Sequence, residues 1–123
     1  MDTADFAQAC QDLAEKLGQE QKAMKYEGSQ ATTLGERSTN LSAQAATLRT
    51  LVVASAIANN DDAVKALSDG TSAAKKAATN LKDAATAIQV SGLVLSLGAA
   101  IISKNPVAVI NASTSLVKAI GSA

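Results

Sequence analysis

Few side chains in this sequence could carry chemistry, and the clearest candidate is the single cysteine, Cys10. A thiol can act as a nucleophile when a helix N-terminus or a neighbouring base lowers its pKa. Cys10 lies between Phe6 and Leu13 at helical spacing, on an apolar stripe, and no base accompanies it. The pattern therefore favours a buried thiol that packs as a small apolar side chain.

The carboxylates are also better explained by structure than by catalysis or metal binding. Asp12 and Glu15 lie one helical turn apart, a spacing typical of a solvated helix face with stabilising pairs. Asp61, Asp62 and Asp69 resemble part of a calcium loop, but the alternate ligands and the terminal glutamate of such a loop are missing. We expect either Asp61 or Asp62 to cap a helix instead.

Several classes of function lack the residues that they need. The chain has no histidine and one cysteine, which excludes the usual zinc sites and the commonest general base. Gly92 and Gly98 lie in an apolar run without the Lys-Ser/Thr signature of a phosphate loop. Eleven basic and eleven acidic residues leave a net charge of zero, which argues against a nucleic-acid partner. The sequence predicts a non-enzymatic protein with no cofactor, no metal and no small-molecule substrate.

The composition predicts a helical protein. The chain is 47% hydrophobic, yet aromatic residues make up only 2% and alanine is abundant. Alanine is the strongest helix former, and the only proline is Pro106. At 123 residues the chain is expected to form a single domain, 1–123.

The first half of the chain predicts two helices, over residues 3–27 and 38–58. In the first, apolar residues recur at the coiled-coil spacing of three and four: Phe6, Cys10, Leu13, Leu17 and Met24. The same register continues through Ala31 and Leu34. The two segments are therefore either one helix interrupted near Gly28 and Gly35 or two separate helices, and we favour the break.

The second half predicts a long helix over 61–103 and a short one over 106–120. A single apolar register runs from Val64 to Ile102, and Asn105 followed by Pro106 is typical of a new helix beginning. The expected fold is an all-α, elongated up-and-down bundle of three to four helices. Its spine is the long central helix, and its C-terminal end is an apolar hairpin.

The stretch from Ala84 to Ile120 holds only two charged residues, Lys104 and Lys118, and permits three interpretations. The first is the core of a soluble bundle, which we favour because its serine, threonine and glutamine residues suit packed helices better than lipid. The second is an assembly surface, and the third is a hairpin that enters a membrane, a design that resembles helical pore-forming toxins at a coarse level. A segment from Ala84 to Ser103 just reaches the length of ~20 residues that spans a bilayer.

The most specific feature of this stretch is a strip of small residues, Gly92, Ser96 and Ala100, flanked by Leu93, Leu97 and Ile101. Small residues at every fourth position let two helices approach closely. We therefore predict a helical interaction or assembly module that forms a homo-oligomer or binds a helical partner through this hairpin, with membrane insertion as the alternative. The acidic N-terminus shows no signal peptide, so we expect a cytoplasmic protein, with signal-independent secretion as the other possibility.

Overall fold

The computed structural model describes residues 3–19, 28–81 and 83–121, and all regular structure in these ranges is helical. The predicted all-α fold class is therefore confirmed. Five long helices and one single-turn helix, α3, follow one another along the chain: α1 (Ala4–Gln19), α2 (Ser29–Thr50), α3 (Ser55–Ala58), α4 (Asp61–Asn80), α5 (Ala84–Ile102) and α6 (Pro106–Gly121).

The predicted long helix over 61–103 is divided into α4 and α5. Leu81 has an extended backbone, with φ −68° and ψ 130°. The carboxylate of Asp83 then accepts a hydrogen bond of 2.8 Å from the backbone N–H of Thr86. This bond satisfies one of the free donors at the beginning of α5, so a new helix starts there. The expected bundle of three to four helices around a central spine is not confirmed.

The break between the first two helices is confirmed, because α1 and α2 pack against each other in opposite directions. The Ser38 hydroxyl donates to the Ala14 carbonyl at 2.8 Å. The Thr3 hydroxyl, at the other end of the pair, donates to the Leu48 carbonyl at 3.2 Å. The chain therefore reverses between α1 and α2.

The helix bounds in this half differ from the prediction. The predicted helix over 3–27 reaches only Gln19 as α1, and its remainder, 20–27, lies outside the described residues. The predicted helix over 38–58 begins earlier, at Ser29, and ends at Thr50, so Gly35 lies inside α2. The last residues of that prediction form the separate helix α3.

Asparagine side chains cap the N-termini of α4 and α6. The side chain of Asn60, and not Asp61 or Asp62 as predicted, accepts from the Ala63 N–H at 3.0 Å. Both aspartates lie instead in the first turn of α4, where negative charge suits the helix dipole. Asn105 accepts from the Ala108 N–H at 3.1 Å, and α6 begins at Pro106, which confirms that part of the prediction.

The five long helices form a closed ring in the order α1, α2, α5, α6, α4, and α4 returns to α1. α4 and α5 are consecutive along the chain but touch each other little, since α6 packs against both. α2 and α5 run in the same direction, because Arg37 lies against Gly92 and Gln44 lies against Gly98.

The core lies inside this ring, and α4 contributes mostly small residues to it. The buried face of α4 consists of alanines, Leu67 and Gly70. Small residues let neighbouring helices approach closely. The largest fully buried side chains therefore come from the other elements: Phe6, Leu13, Leu17, Leu34, Leu41, Leu48, Ile57, Leu97, Ile101, Leu116, Val90 and Val94.

Candidate interface on the α5–α6 hairpin

A tight turn at Ser103, Lys104 and Asn105 joins α5 to α6. Lys104 has φ 64°, in the left-handed region. Its N–H donates to the Ile101 carbonyl at 3.2 Å, and the Asn105 N–H donates to the Ala100 carbonyl at 3.3 Å. This pair of bonds closes the C-terminus of α5 as a Schellman motif. The two apolar helices are thereby held side by side as a hairpin.

The six residues predicted as a packing surface do not share one face of the molecule. Leu97 and Ile101 are fully buried in the core, and Ala100 is also buried. Ser96 is exposed and Leu93 is half-buried. The hydrophobic pattern could not distinguish the buried residues of this set from the exposed ones, because α5 is apolar nearly all round and must be covered on several sides.

The space beside Gly92 is filled by a side chain of α2. A Cβ placed on Gly92 would overlap the Arg37 guanidinium of α2, and one on Gly98 would overlap the side-chain amide of Gln44. Gln44 Nε2 also donates to the Leu95 carbonyl at 2.9 Å. The two glycines therefore form notches for polar side chains of α2. The only sequence signal for this contact was glycine within an apolar helix.

The outward side of the hairpin is a shallow groove of about 500 Å³ between α5 and α6. Its lining residues are small or uncharged, and we refer to them together as the hairpin face: Leu93, Ser96, Ala99, Ala100, Ser103, Asn105, Ala108, Asn111, Ala112 and Ser115. Of the predicted site residues, Leu93, Ser96 and Ala100 belong to it. The contribution of α6 was not predicted as part of a site.

The large apolar side chains of the hairpin are mostly covered by the rest of the chain. Among the described residues, those with substantial exposure are Val52, Ile102, Val107 and Val117. Val107, 63% exposed, lies in the first turn of α6, next to the hairpin turn. What the hairpin presents to its surroundings is therefore chiefly small and uncharged, with three exposed apolar side chains: Ile102 and Val107 beside the turn, and Val117 further along α6.

One described helix, α5, is long and apolar enough to cross a membrane, and 44% of its most apolar window is buried within the fold. α6 is also apolar but shorter. A buried core helix of a soluble protein has the same length and composition, so this property alone does not distinguish the two.

The thiol of Cys10 is not a reactive group. It is buried, and its Sγ lies 3.8 Å from Gln44 Oε1. Burial raises the pKa of Cys10 from 9.0 to about 12, against a smaller opposing effect of Arg49. The thiol is therefore protonated at neutral pH, as expected for a packing residue. Within the described ranges, no group of three or more Cys, Asp or Glu residues could hold a metal ion.

Comparison of the chain with protein-family models, with curated proteins and with solved structures finds no match. The function is therefore argued from the geometry of the chain itself.

Proposed function

We propose that this protein is a non-enzymatic assembly module that self-associates through the hairpin face. The observation that carries the proposal is the absence of charge from all ten described residues of that face. On the rest of the described surface charges are common, as in the exposed ion pair of 3.7 Å between Lys75 and Asp5. An uncharged face can be covered by another protein without leaving a charge buried and unpaired.

A second copy of the chain is the occupant that this face suits best. The amide of Asn111 and the hydroxyl of Ser115 are both donors and acceptors and make no side-chain hydrogen bond among the described residues, so identical groups can pair across a two-fold axis. The net charge of zero means that two copies do not repel each other overall. Small residues along the groove allow close approach of the helices.

The size of the face argues for weak association. α5 and α6 have 19 and 16 residues, so they are about 28 Å and 24 Å long. Two such helices packed ~10 Å apart present a footprint of roughly 500 Å². A standard stable interface buries about 800 Å² per partner, so we expect a dissociation constant in the micromolar range.

The test is sedimentation of the wild type over a range of concentrations, compared with Ala99→Glu. Ala99 is exposed at the centre of the hairpin face, and a carboxylate there would be desolvated without a partner in the dimer. We expect association to weaken by at least about tenfold, with unchanged helix content. Ala46→Glu, at an exposed position of α2 outside the face, should associate as the wild type does.

Two results would contradict the proposal. A wild type that sediments as a monomer at its highest soluble concentration does not self-associate. A wild-type oligomer that is unaffected by Ala99→Glu uses a different surface. In the second case, loss of association in Ala46→Glu would point to α2.

Membrane insertion is the second candidate, and the length and apolar composition of α5 favour it. Against it, hydroxyls and amides of the hairpin face would lose their water in hydrocarbon. α6, at ~24 Å, is also shorter than a hydrocarbon core of ~30 Å. Flotation with liposomes at pH 7 and pH 5 separates the candidates, since a self-associating protein without lipid affinity stays in solution.

A charge at Leu97 is not a useful variant for this test. Leu97 is fully buried, and its Cδ2 lies against Gly70 of α4, so a charge there would unfold the bundle. The exposed Ala99→Glu keeps the core intact and places its charge on the same helix. If the wild type floats with liposomes, Ala99→Glu should reduce the floating fraction.

A further inference from the structure

The connection between α2 and α4, residues 51–60, contains only one turn of helix, α3. This helix packs chiefly against α4, and its one buried side chain is Ile57. A single helical turn is not stable by itself, because forming a helix nucleus costs more free energy than one hydrogen bond returns. The connection should therefore open locally at a lower free energy than the long helices.

The part of this connection before α3, residues 51–54, is extended and its backbone is unpaired. Leu51 has φ −78° and ψ 132°, and Ala54 has φ −58° and ψ 139°. Within the described ranges, the backbone N–H groups of Val52, Val53 and Ala54 donate no hydrogen bond, and the carbonyls of Val52 and Val53 accept none. These groups are free to bond to another protein.

Val52 is the most exposed large apolar side chain that the structure describes, at 89%. Leu51 and Val53, on either side of it, are partly buried and pack against the core. Side chains that alternate between two faces are typical of an extended strand. Val52 therefore extends into solvent, between two neighbours that hold the segment against the bundle.

The other exposed valines and connections lack this combination. Val107 and Val117 lie within α6, where the backbone is helical. In the turn between α5 and α6, the N–H groups of Ser103, Lys104 and Asn105 all donate to carbonyls. Among the large apolar residues with substantial exposure in the described ranges, only Val52 lies outside a helix.

We propose that residues 51–54 are a processing site for serine endopeptidases that accept a small aliphatic side chain, and that the bond cut is the one between Val52 and Val53. An extended peptide can pair its free N–H and C=O groups with an extended edge of another protein. The small specificity pocket of an elastase-type enzyme accepts the side chain before the cut, here Val52. Water adds across the C–N bond, which leaves a carboxylate on Val52 and an amino group on Val53.

The two products should remain together after the cut. Fragment 1–52 contains α1 and α2, and fragment 53–123 contains α4, α5 and α6. α1 packs against α4, and α2 packs against α5. The bond of 2.9 Å from Gln44 Nε2 to the Leu95 carbonyl and the ion pair of Asp5 with Lys75 also join the two fragments. The cut therefore converts one chain into a complex of two pieces.

Limited digestion of the full chain with pancreatic elastase tests the site, with mass spectrometry of successive samples. We expect fragments 1–52 and 53–123 to appear before any product of a cut inside the described helices, and to elute together in gel filtration. No cut within 51–54, or cuts inside the helices at a comparable rate, would overturn the proposal. Separate elution of the two fragments would contradict the two-piece complex.

Val52→Asp tests which side chain the protease recognises. A carboxylate does not suit a small apolar pocket, so the cut at this bond should slow by at least about tenfold. The melting temperature should not change, because the side chain is exposed. Val107→Asp, at a valine that is 63% exposed in α6, is the matched control and should be cut at 52–53 as fast as the wild type. Wild-type cleavage of Val52→Asp at that bond would overturn the assignment.

Asp83→Ala distinguishes local opening from unfolding of the whole bundle. It removes the cap of α5, which lies outside the connection, so cutting through local opening should keep the wild-type rate. A rate that rises in proportion to the lost stability would mean that the bundle must unfold first, and the site would not exist in the folded protein. Ala99→Glu should also be cut as the wild type is, because residues 51–54 and the hairpin face share no residue. The processing site and self-association are therefore tested separately.

Discussion

Cys10 is surrounded by the interior of the bundle, and its environment determines its chemistry. The side chain is fully buried, and its thiol contacts the Gln44 amide. Because water is excluded, the thiolate is disfavoured, and the pKa of Cys10 rises to about 12. This effect of burial could be anticipated from the apolar stripe of Phe6, Cys10 and Leu13. The contact with Gln44 could not be anticipated from the sequence, because it depends on how α2 packs against α1.

The raised pKa of Cys10 predicts that the bundle becomes less stable in alkali. Between pH 9 and about 12, the unfolded thiol releases its proton while the folded thiol keeps it. The unfolded state then binds fewer protons, so the free energy of unfolding falls as pH rises, by roughly 1 kcal/mol per pH unit. Urea denaturation at pH 7, 9 and 10 should show this decrease, and Cys10→Ala should remove that part of it. Identical pH dependence in both proteins would contradict the burial.

Among the elements, sequence periodicity predicted correctly that the chain is helical, but it gave four helices where the described residues form six. Asn105 and Pro106 gave a clear signal for α6, because a cap and a proline act locally. The division between α4 and α5 was not predicted, because the sequence continues the apolar register through residues 81–83 without a glycine or proline. The apolar residues of this register are buried whether the helix continues or the chain reverses its direction, so the pattern does not distinguish the two. Only the cap at Asp83 distinguishes them, and one aspartate is a weak signal.

The cap at the beginning of α5 can be tested with two substitutions. The pKa of Asp83 is lowered, chiefly by the hydrogen bond from the Thr86 backbone N–H. Its stabilisation is therefore complete above the ordinary pKa of an aspartate and is lost as pH falls through the lowered value. We expect Asp83→Ala to lower the melting temperature at pH 7. Asp83→Asn should keep most of the stability, since asparagine is an equally good cap.

A comparison at acid pH completes this test. The melting temperatures of wild type and Asp83→Asn should converge as the wild-type carboxylate becomes protonated. Asp83→Ala should be less stable than Asp83→Asn throughout. If alanine is tolerated at neutral pH, then the beginning of α5 is held by helix packing and not by the cap.

For the whole molecule, the arrangement of the helices decides which small residues form a surface. The sequence predicted an interface along one strip of α5. In the closed ring, a side chain of α2 packs against Gly92, and Leu97 and Ile101 are buried in the core. The exposed groove is formed by α5 together with α6. An apolar helix contains several plausible strips, and only the positions of its neighbours select one. The charge-free character of the hairpin was visible in the sequence, but its outward side was not.

The reversal between α4 and α5 has a consequence that can be measured across the molecule. A single straight helix would place residues 61 and 103 roughly 60 Å apart. In the ring, α4 and α6 run in the same direction, because residues 62–69 share one groove with residues 113–118 and residues 69–80 share the next with Val117 and Ile120. Since α5 and α6 reverse at their tight turn, α4 and α5 run in opposite directions, and residues 61 and 103 lie at one end of the bundle. With neighbouring helices ~10 Å apart, spin labels at these exposed positions should be less than about 30 Å apart.

The distance should be measured by pulsed electron resonance on Asp61→Cys, Ser103→Cys in a Cys10→Ala background. An excess of unlabelled protein removes distances between copies, so self-association does not affect the result. A distribution near 60 Å would mean that the long helix inferred from periodicity exists and that the ring does not. A short distance would establish the reversal that allows α6 to pack against both α4 and α5 and so to close the ring.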